Sequence, residues 1–265
     1  MPKGSPTISL FAPPYSELTP LEGPTVKPAQ LRAHCQAPGS ALIWRLVGPP
    51  SESELRVVAC RPGGASLIAV LPDPTRLQRI EAIKQSVALV RPHGVLPSHL
   101  GPALPALRQV LRRPPDDLAS DFTDYLRWRG IMLDGETRRV VRQIVDLSEQ
   151  LRSISAVARS LFLSRRALGR RFMRHGLPVP SHWLQLARIL RVAIRLQNSA
   201  ATVSSLAYEA GYPDGFSLSN QMHRLLGYRP SEIRGYLGWE WIVETWLRQE
   251  AAGGSLTPNL TLAHD

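Results

Sequence analysis

Two stretches of this chain end one helix and start another within a few residues, and both do it in the same way. In VSSLAYEAGYPDGFSLSNQMHRLL, residues 203–226, Val203, Leu206, Ala207 and Ala210 fall on one helical face. Gly211 accepts a positive φ and stops that helix at little cost. Pro213 sets the turn, and Asp214 stands where it caps the helix that follows. Leu218, Met222, Leu225 and Leu226 form the apolar stripe of that second helix, leaving Ser217, Ser219, Asn220, His223 and Arg224 on its other side. Upstream, ISAVARSLFLSRRALGRRFMRHG, residues 154–176, repeats the pattern. Ile154, Val157, Ala158 and Leu161 make the first face, Ser164 is the cap, and Leu168 and Phe172 anchor the second helix. Its outer face carries Arg165, Arg166, Arg170, Arg171 and Arg174.

A small-residue helix, a tight turn and a polar second helix are what a helix-turn-helix requires. The two helices must cross closely, and the second must offer polar side chains to a groove. Between the units, SHWLQLARILRVAIRLQ (181–197) reads as one long helix with Trp183, Leu186, Ala187, Leu190, Ile194 and Leu196 facing the core. Such a helix spans roughly 25 Å at 1.5 Å per residue, a length of the order that separates successive major-groove faces, about 34 Å. Charge gathers at the same place. The chain carries a formal +11, and residues 151–234 hold 13 arginines and no lysine against Glu209, Asp214 and Glu232, which is 13 − 3 = +10. A coding bias towards arginine accounts for part of that count. The balance nevertheless points to a polyanion, with nucleic acid ahead of an acidic membrane.

On these residues the segment 137–236 resembles the DNA-binding domain of AraC/XylS-type transcription regulators. The most specific stretch is AGYPDGFSLSNQMHRLLGYRPSEIR, where Gly211, Tyr212, Asp214, Leu218, Met222, Leu226, Gly227, Pro230 and Arg234 hold the family's places in order. ETRRVVRQIVDLSEQL (136–151) stands where the family's first helix would be. The resemblance implies two helix-turn-helix units on a linker helix, each second helix entering the major groove, in a bacterial protein that controls transcription of nearby genes. By position it makes Arg165, Arg166 and Arg170 base-facing in unit one, and Gly215, Phe216, Ser217 and Asn220 in unit two. Ser164, Arg171, Arg174, His223 and Arg224 complete the expected DNA-binding set. Gly211, Pro230, Trp183, Leu168 and Phe172 are expected to be structural. Four residues depart from the family. Phe162 stands where a glycine usually turns, which costs about 1–2 kcal/mol if that residue is left-handed. Gly215 and Phe216 replace polar readers, and His223 replaces a lysine.

The first half reads differently. Residues 1–40 carry eight prolines and little periodicity and are expected to form a flexible leader. From 41 to 113, ALIWRLV, RVVAC, SLIAVL and VALVRP read as short buried strands, with TRLQRIEAIKQS and PALPALRQVLRR as helices. This small α/β layer is similar, in degenerate form, to a receiver or flavodoxin-like domain. Asp73 follows the strand SLIAVL, but VRPHG has no lysine where a receiver needs one, so Asp73 is read as a turn residue between Pro72 and Pro74. Nor does this half show the Gly- and Pro-spaced strands or His clusters of a sugar-sensing cupin barrel. Residues 114–135 are expected to be a connection, 136–250 the double helix-turn-helix domain with an added helix marked by Trp239, Trp241 and Trp246, and 251–265 a disordered tail. The fold class is therefore α+β, an all-α C-terminal domain beside a small α/β layer.

Cys35 and Cys60 form no CxxC or Cys/His cluster, so neither a disulfide framework nor a zinc site is expected. His175, before Gly176, reads as a helix-end cation rather than a ligand. No stretch reaches about 18 apolar residues and no apolar segment follows Met1, so the expectation is a cytoplasmic protein with no membrane association. GxSxG, HExxH, GxxxxGK[ST] and GxGxxG are all absent, and a non-enzymatic function is expected. The leading reading is a sequence-specific regulator whose partner is double-stranded DNA. RNA polymerase and a second copy of the chain are further candidate partners, and no cofactor, metal or effector is assigned. The competing reading, motivated by Phe162, Gly215 and Phe216, is an interaction protein that keeps the fold and binds DNA weakly and without sequence preference.

Overall fold

The computed structural model describes residues 7–21, 28–72, 80–97 and 103–257. It divides into two compact units. The first is built from the chain up to Arg113 together with Gly235–Trp241, the second from Pro114–Arg234 and the residues from Ile242 onward.

The first unit is a five-stranded mixed sheet. Its strands are β1 (Thr7–Phe11), β2 (Thr19–Pro20), β3 (Ala41–Arg45), β4 (Ser66–Leu71) and β5 (Gly94–Pro97), in the order β2-β1-β3-β4-β5. β1 runs antiparallel to β2 and β3, while β3, β4 and β5 are parallel. Parallel neighbours need crossovers, and α2 (Glu52–Ala59) and α3 (Ile80–Ala88) lie in the two connections. All six residues of SLIAVL are buried, which explains an unbroken apolar run where an exposed sheet would alternate. Leu42, Trp44, Leu67 and Ala69 pack with Val58, Ile83 and Val87. On the other face Ile43, Ile68 and Val70 pack with Phe11, Tyr15, Leu237 and, from α4 (Leu104–Arg112), Leu107 and Leu111.

Three expectations for this half are corrected. The proline-rich leader contributes β1, β2 and α1 (Pro28–His34), with Phe11 and Leu31 fully buried. RVVAC belongs to α2 rather than a strand, because Ser51 and Glu54 form a capping box that starts a helix there. VALVRP is divided: Val87 and Ala88 end α3, Arg91 turns at φ 51, and the strand comes later at Gly94–Pro97. Residues 114–135, read as a connection with a short amphipathic piece FTDYLRWRG, hold α5 (Leu118–Trp128), which starts earlier than that piece, is capped by Asp117 and is buried through Ala119, Phe122, Tyr125 and Leu126. Asp73 lies outside the described residues, as does the chain beyond 257. In the described part of the expected tail, Leu256 is buried and Thr257 donates its N–H to Gly176 O at 2.8 Å.

The returning segment Gly235–Trp241 closes the first unit. Tyr15 Oη donates to Gly39 O at 2.9 Å and accepts the Leu237 N–H at 2.8 Å. Glu240 is buried against His93 Nδ1 at 2.9 Å and accepts a hydrogen bond from Ser66 Oγ at 2.7 Å, with Arg91 at 3.7 Å.

The second unit is helical: α5, α6 (Gly135–Leu147), α7 (Ile154–Ser160), α8 (Arg165–Arg174), α9 (Pro180–Asn198), α10 (Val203–Glu209), α11 (Gly215–Leu226), α12 (Pro230–Ile233) and α13 (Glu240–Ala252), the last counted here from Ile242 on. Trp183 of α9 sits at its centre. Its ring meets Trp246 at 4.9 Å and both Phe122 and Phe172 at 5.9 Å between centroids, and its indole N–H donates to Pro178 O at 3.0 Å. Glu244 is buried nearby in sequence and takes a two-point ion pair from Arg129 at 2.8 and 2.9 Å plus the Tyr125 hydroxyl at 2.9 Å. Among the described residues no helix is long and apolar enough to cross a membrane.

The Glu240–His93 pair is expected to give the first unit a pH optimum. Burial disfavours charge on both groups, but each stabilises the other. His93 is raised above its ordinary 6.5 and Glu240 is lowered below its ordinary 4.5. The raised His93 adds stability that is complete below 6.5 and lost as pH rises through its folded value. The lowered Glu240 adds stability that is complete above 4.5 and lost as pH falls through its own. Hydrogen-exchange protection of β4, corrected for intrinsic rates, is therefore expected to be greatest between pH 4.5 and 6.5 and to decline on the alkaline side. His93→Gln is expected to abolish the alkaline decline.

Candidate nucleic-acid interface

The two helix-turn-helix units have the same backbone construction. Ser153 and Thr202 cap α7 and α10 by accepting the N–H of Ala156 and Ser205 at 3.2 and 3.1 Å. α7 ends at Phe162 with φ 54, and α10 at Gly211 with φ 74. The next residue folds back in each case: Leu163 N–H reaches Ala158 O at 2.9 Å, and Tyr212 N–H reaches Ala207 O at 2.8 Å. Ser164 then caps α8 through the Ala167 N–H at 3.1 Å, and Asp214 caps α11 through the Ser217 N–H at 2.6 Å. That N–H holds the Asp214 carboxyl below its ordinary range. The caps and the left-handed residues are offset alike, 202 − 153 and 211 − 162 both being 49, and the second caps by 214 − 164 = 50, so unit two has one extra turn residue.

The left-handed residues differ in surroundings. A Cβ on Gly211 would collide with the Arg152 side chain. Phe162 escapes such a clash because its ring projects into solvent, 96% exposed.

On α8, Leu168 and Phe172 are fully buried, and Arg165, Arg166, Arg170 and Arg174 are exposed. Among the described residues no carboxylate or carbonyl engages these four guanidiniums. Arg171 departs from the expected outer face. It pairs with Glu136 of α6 at 2.7 Å and is only 20% exposed, because its place on the helix turns it towards α6. Ser164 is occupied as a cap. On α11, Phe216, Asn220, His223 and Arg224 are exposed, Phe216 by 75%. Arg224 donates to Gln221 Oε1 at 2.7 Å, and Ser217 is half-buried. Gly215, expected among the base-facing positions, is instead a point of close approach, since a Cβ there would lie 3.2 Å from Ser204 Oγ of α10. An open groove beside α11 is lined by Val203, Ser204, Phe216, Asn220, His223 and Ser231, among others.

Five other arginines of this segment do structural work that the sequence count did not separate out. Arg188 donates to Ala210 O at 2.6 Å and stacks over Tyr212 at 4.5 Å. Arg152 donates to Glu209 O at 2.8 Å, Arg191 to Val145 O at 3.0 Å, and Arg234 to Ser199 O and Ala201 O at 2.8 and 2.7 Å. Arg195 pairs with Glu209. Most of these carbonyls close the C-terminal ends of helices, where the helix dipole favours a cation. That position relative to a helix end is the sequence signal that could have identified them. His175 follows the same rule after α8 and pairs with Asp134 at 2.9 Å. Trp183, Leu168, Phe172 and Pro230 are buried.

Residues 157–236 match the family model of a Helix-turn-helix domain. The chain is 32% identical over 79 residues to the HTH-type transcriptional activator RhaS of Shigella boydii serotype 18 (strain CDC 3083-94 / BS512), which is 30% of this chain and 28% of that protein. The matched stretch thus spans well under a third of the relative's length. A solved structure of the xylose-binding transcription activator xylR aligns over 68% of this chain and 57% of its own at 14% identity, with a TM-score of 0.38, a likeness too loose to carry argument. The AraC/XylS-type resemblance read from the sequence is borne out for the helix-turn-helix segment.

The two turns predict opposite responses to exchange. Phe162→Gly is expected to raise stability by about 0.5–1 kcal/mol, because relief of about 1–2 kcal/mol of left-handed strain is partly offset by glycine's greater freedom in the unfolded chain. Gly211→Phe is expected to lose more than that strain alone, since Arg152 occupies the space. Urea titrations of the two variants against the parent chain check both signs.

Proposed function

We propose that this chain, whose residues 157–236 are an AraC/XylS-type helix-turn-helix domain, is a sequence-specific DNA-binding transcription regulator that lays α8 and α11 into the major groove. The observation that carries the reading is the division of the arginines. Arg152, Arg171, Arg188, Arg191, Arg195 and Arg234 are held by carbonyls or carboxylates of their own unit. Arg165, Arg166, Arg170 and Arg174 lie exposed along one helix that a buried Leu168 and Phe172 fix in place. A fold that engages six arginines of this segment internally and leaves four in solvent along a single helix offers that stripe to an external anion. Guanidiniums suit it, because they bind phosphates and take guanine N7 and O6 with two parallel hydrogen bonds. The 19 residues of α9 give a spacer of about 28 Å, of the order of one helical repeat of DNA.

In this reading unit one supplies most of the affinity through phosphate contacts, which position the protein, and guanine contacts, which select sequence. RNA polymerase and a second copy of the chain are the protein partners such a regulator would use. Nothing in the reading calls for catalysis.

Selection from a random DNA library with the full chain is expected to enrich a motif. Changing Arg165, Arg166 and Arg170 together to alanine is expected to abolish the enrichment and to leave the unfolding midpoint nearly unchanged. The slope of log affinity against log salt is expected to become shallower by about 0.9 for each phosphate that the variant no longer neutralises. Arg171→Ala is expected to touch stability more than the salt slope. Salt-sensitive binding without an enriched motif would favour the interaction-protein reading, and an unaltered motif in the triple variant would remove α8 from the interface.

A further inference from the structure

We infer that the two reading helices recognise chemically different half-sites: α8 a guanine-bearing one, and α11 one in which Phe216 packs on a thymine methyl and Asn220 reads an adenine beside it. The inference rests on the DNA-binding reading above.

Phe216 is not a core residue at the edge of its helix. The apolar stripe of α11 is complete without it, since Leu218, Met222, Leu225 and Leu226 are all buried, while Phe216 stands 75% exposed in the first turn. Four positions on, Asn220 is exposed on the same face, and no hydrogen bond within the described residues holds its amide. Gly215 lets α10 come close to the start of α11, as the near approach of Ser204 shows, and Phe216 follows directly on that crossing. The ring and the amide therefore form a pair, one apolar and one with a donor beside an acceptor, roughly 6 Å apart along the helix axis.

Major-groove chemistry gives this pair one good match. Thymine is the base that offers an apolar group there, its C5 methyl, and an aromatic ring that can neither donate nor accept gains most against it. Asparagine's paired donor and acceptor fit adenine N7 and N6. The outer face of α8 has no amide to pair a donor with an acceptor; its one exposed apolar side chain, Met173 at 75%, stands among arginines. These arginines are donors only, so they match the acceptors of guanine and leave the cytosine amino group without an acceptor.

Deoxyuridine removes the methyl and nothing else. In the motif enriched by the full chain, each thymine is replaced in turn by deoxyuridine and affinity is measured at fixed salt for the parent, Phe216→Ala and Asn220→Ala. One replacement in the half-site opposite α11 is expected to weaken the parent about fourfold, the worth of one buried methyl group. Phe216→Ala is expected to lose a similar factor on thymine DNA and to be indifferent to deoxyuridine. Asn220→Ala is expected to relax the preference at the neighbouring adenine while the guanine preference stays. Indifference of the parent to every deoxyuridine, with the arginine triple variant still losing the motif, overturns this inference and leaves DNA reading intact. Loss of binding in Phe216→Ala that is independent of the methyl also overturns it, and assigns the ring to folding or a protein partner. An absence of any enriched motif overturns both readings.

Discussion

The second unit depends on what α9 holds at two points in its first half. Near its start, Trp183 is enclosed by Phe122 of α5, Phe172 of α8 and Trp246 of α13, and removing a buried side chain of that size typically costs about 3–5 kcal/mol. Phe172 is the residue that seats α8, so the outward direction of the arginine stripe is set by this contact. One and a half turns on, Arg188 of the same helix grips Ala210 O at the end of α10 and covers the Tyr212 ring. That places the break between α10 and α11 on α9 as well. The two turns are thus fixed to one rod by different means, an aromatic cluster at one and a guanidinium at the other.

The guanidiniums also show how a chain so rich in arginine can fold at all. Six of those in the helix-turn-helix segment lie against carbonyls or carboxylates, where a charge-assisted bond is worth more than a neutral one. The same logic operates deeper in the unit, where Arg129 and Glu244 meet with two parallel bonds and Tyr125 fills a further acceptor position. Charge that is matched in this way is not free to bind a ligand. Net charge alone therefore overstated the interface: of the arginines behind the +10 of residues 151–234, only the exposed part contributes to the contact with DNA that the proposed function requires.

Local signals carried the helical half. Caps, glycine at a left-handed turn and 3.6-residue periodicity act within a few residues, so both units and the linker helix could be read from the chain, whereas a left-handed Phe162 was implied only by the family resemblance. The sheet half resisted because its cues conflict over short range. RVVA is β-branched, which suggests a strand, yet the Ser51–Glu54 capping box upstream decides for a helix. Prolines suggested a loose leader, yet β1 within it pairs with β3, thirty to thirty-eight residues away. At the interface, the exposed and buried sides of α8 and α11 were readable from spacing. That Arg171 turns to Glu136 and Gly215 to Ser204 was not, because both depend on a second helix whose position the sequence alone does not state.

Neither unit is separable at the limits of the helix-turn-helix match. Its end, residue 236, falls inside the segment whose Leu237 N–H completes the Tyr15 hydroxyl and whose Glu240 carboxylate pairs with His93. A chain cut there leaves a buried phenol and a buried imidazole without the groups that satisfy them, and each such cut costs the desolvation of the abandoned partner. The start, residue 157, cuts α7 after its cap and removes Phe122 from Trp183, while the far end removes Trp246. What sequence similarity outlines as a domain is therefore narrower than what packing makes one. The residues that flank it are those that hold α8 and α11 in the orientation that any reading of DNA would need.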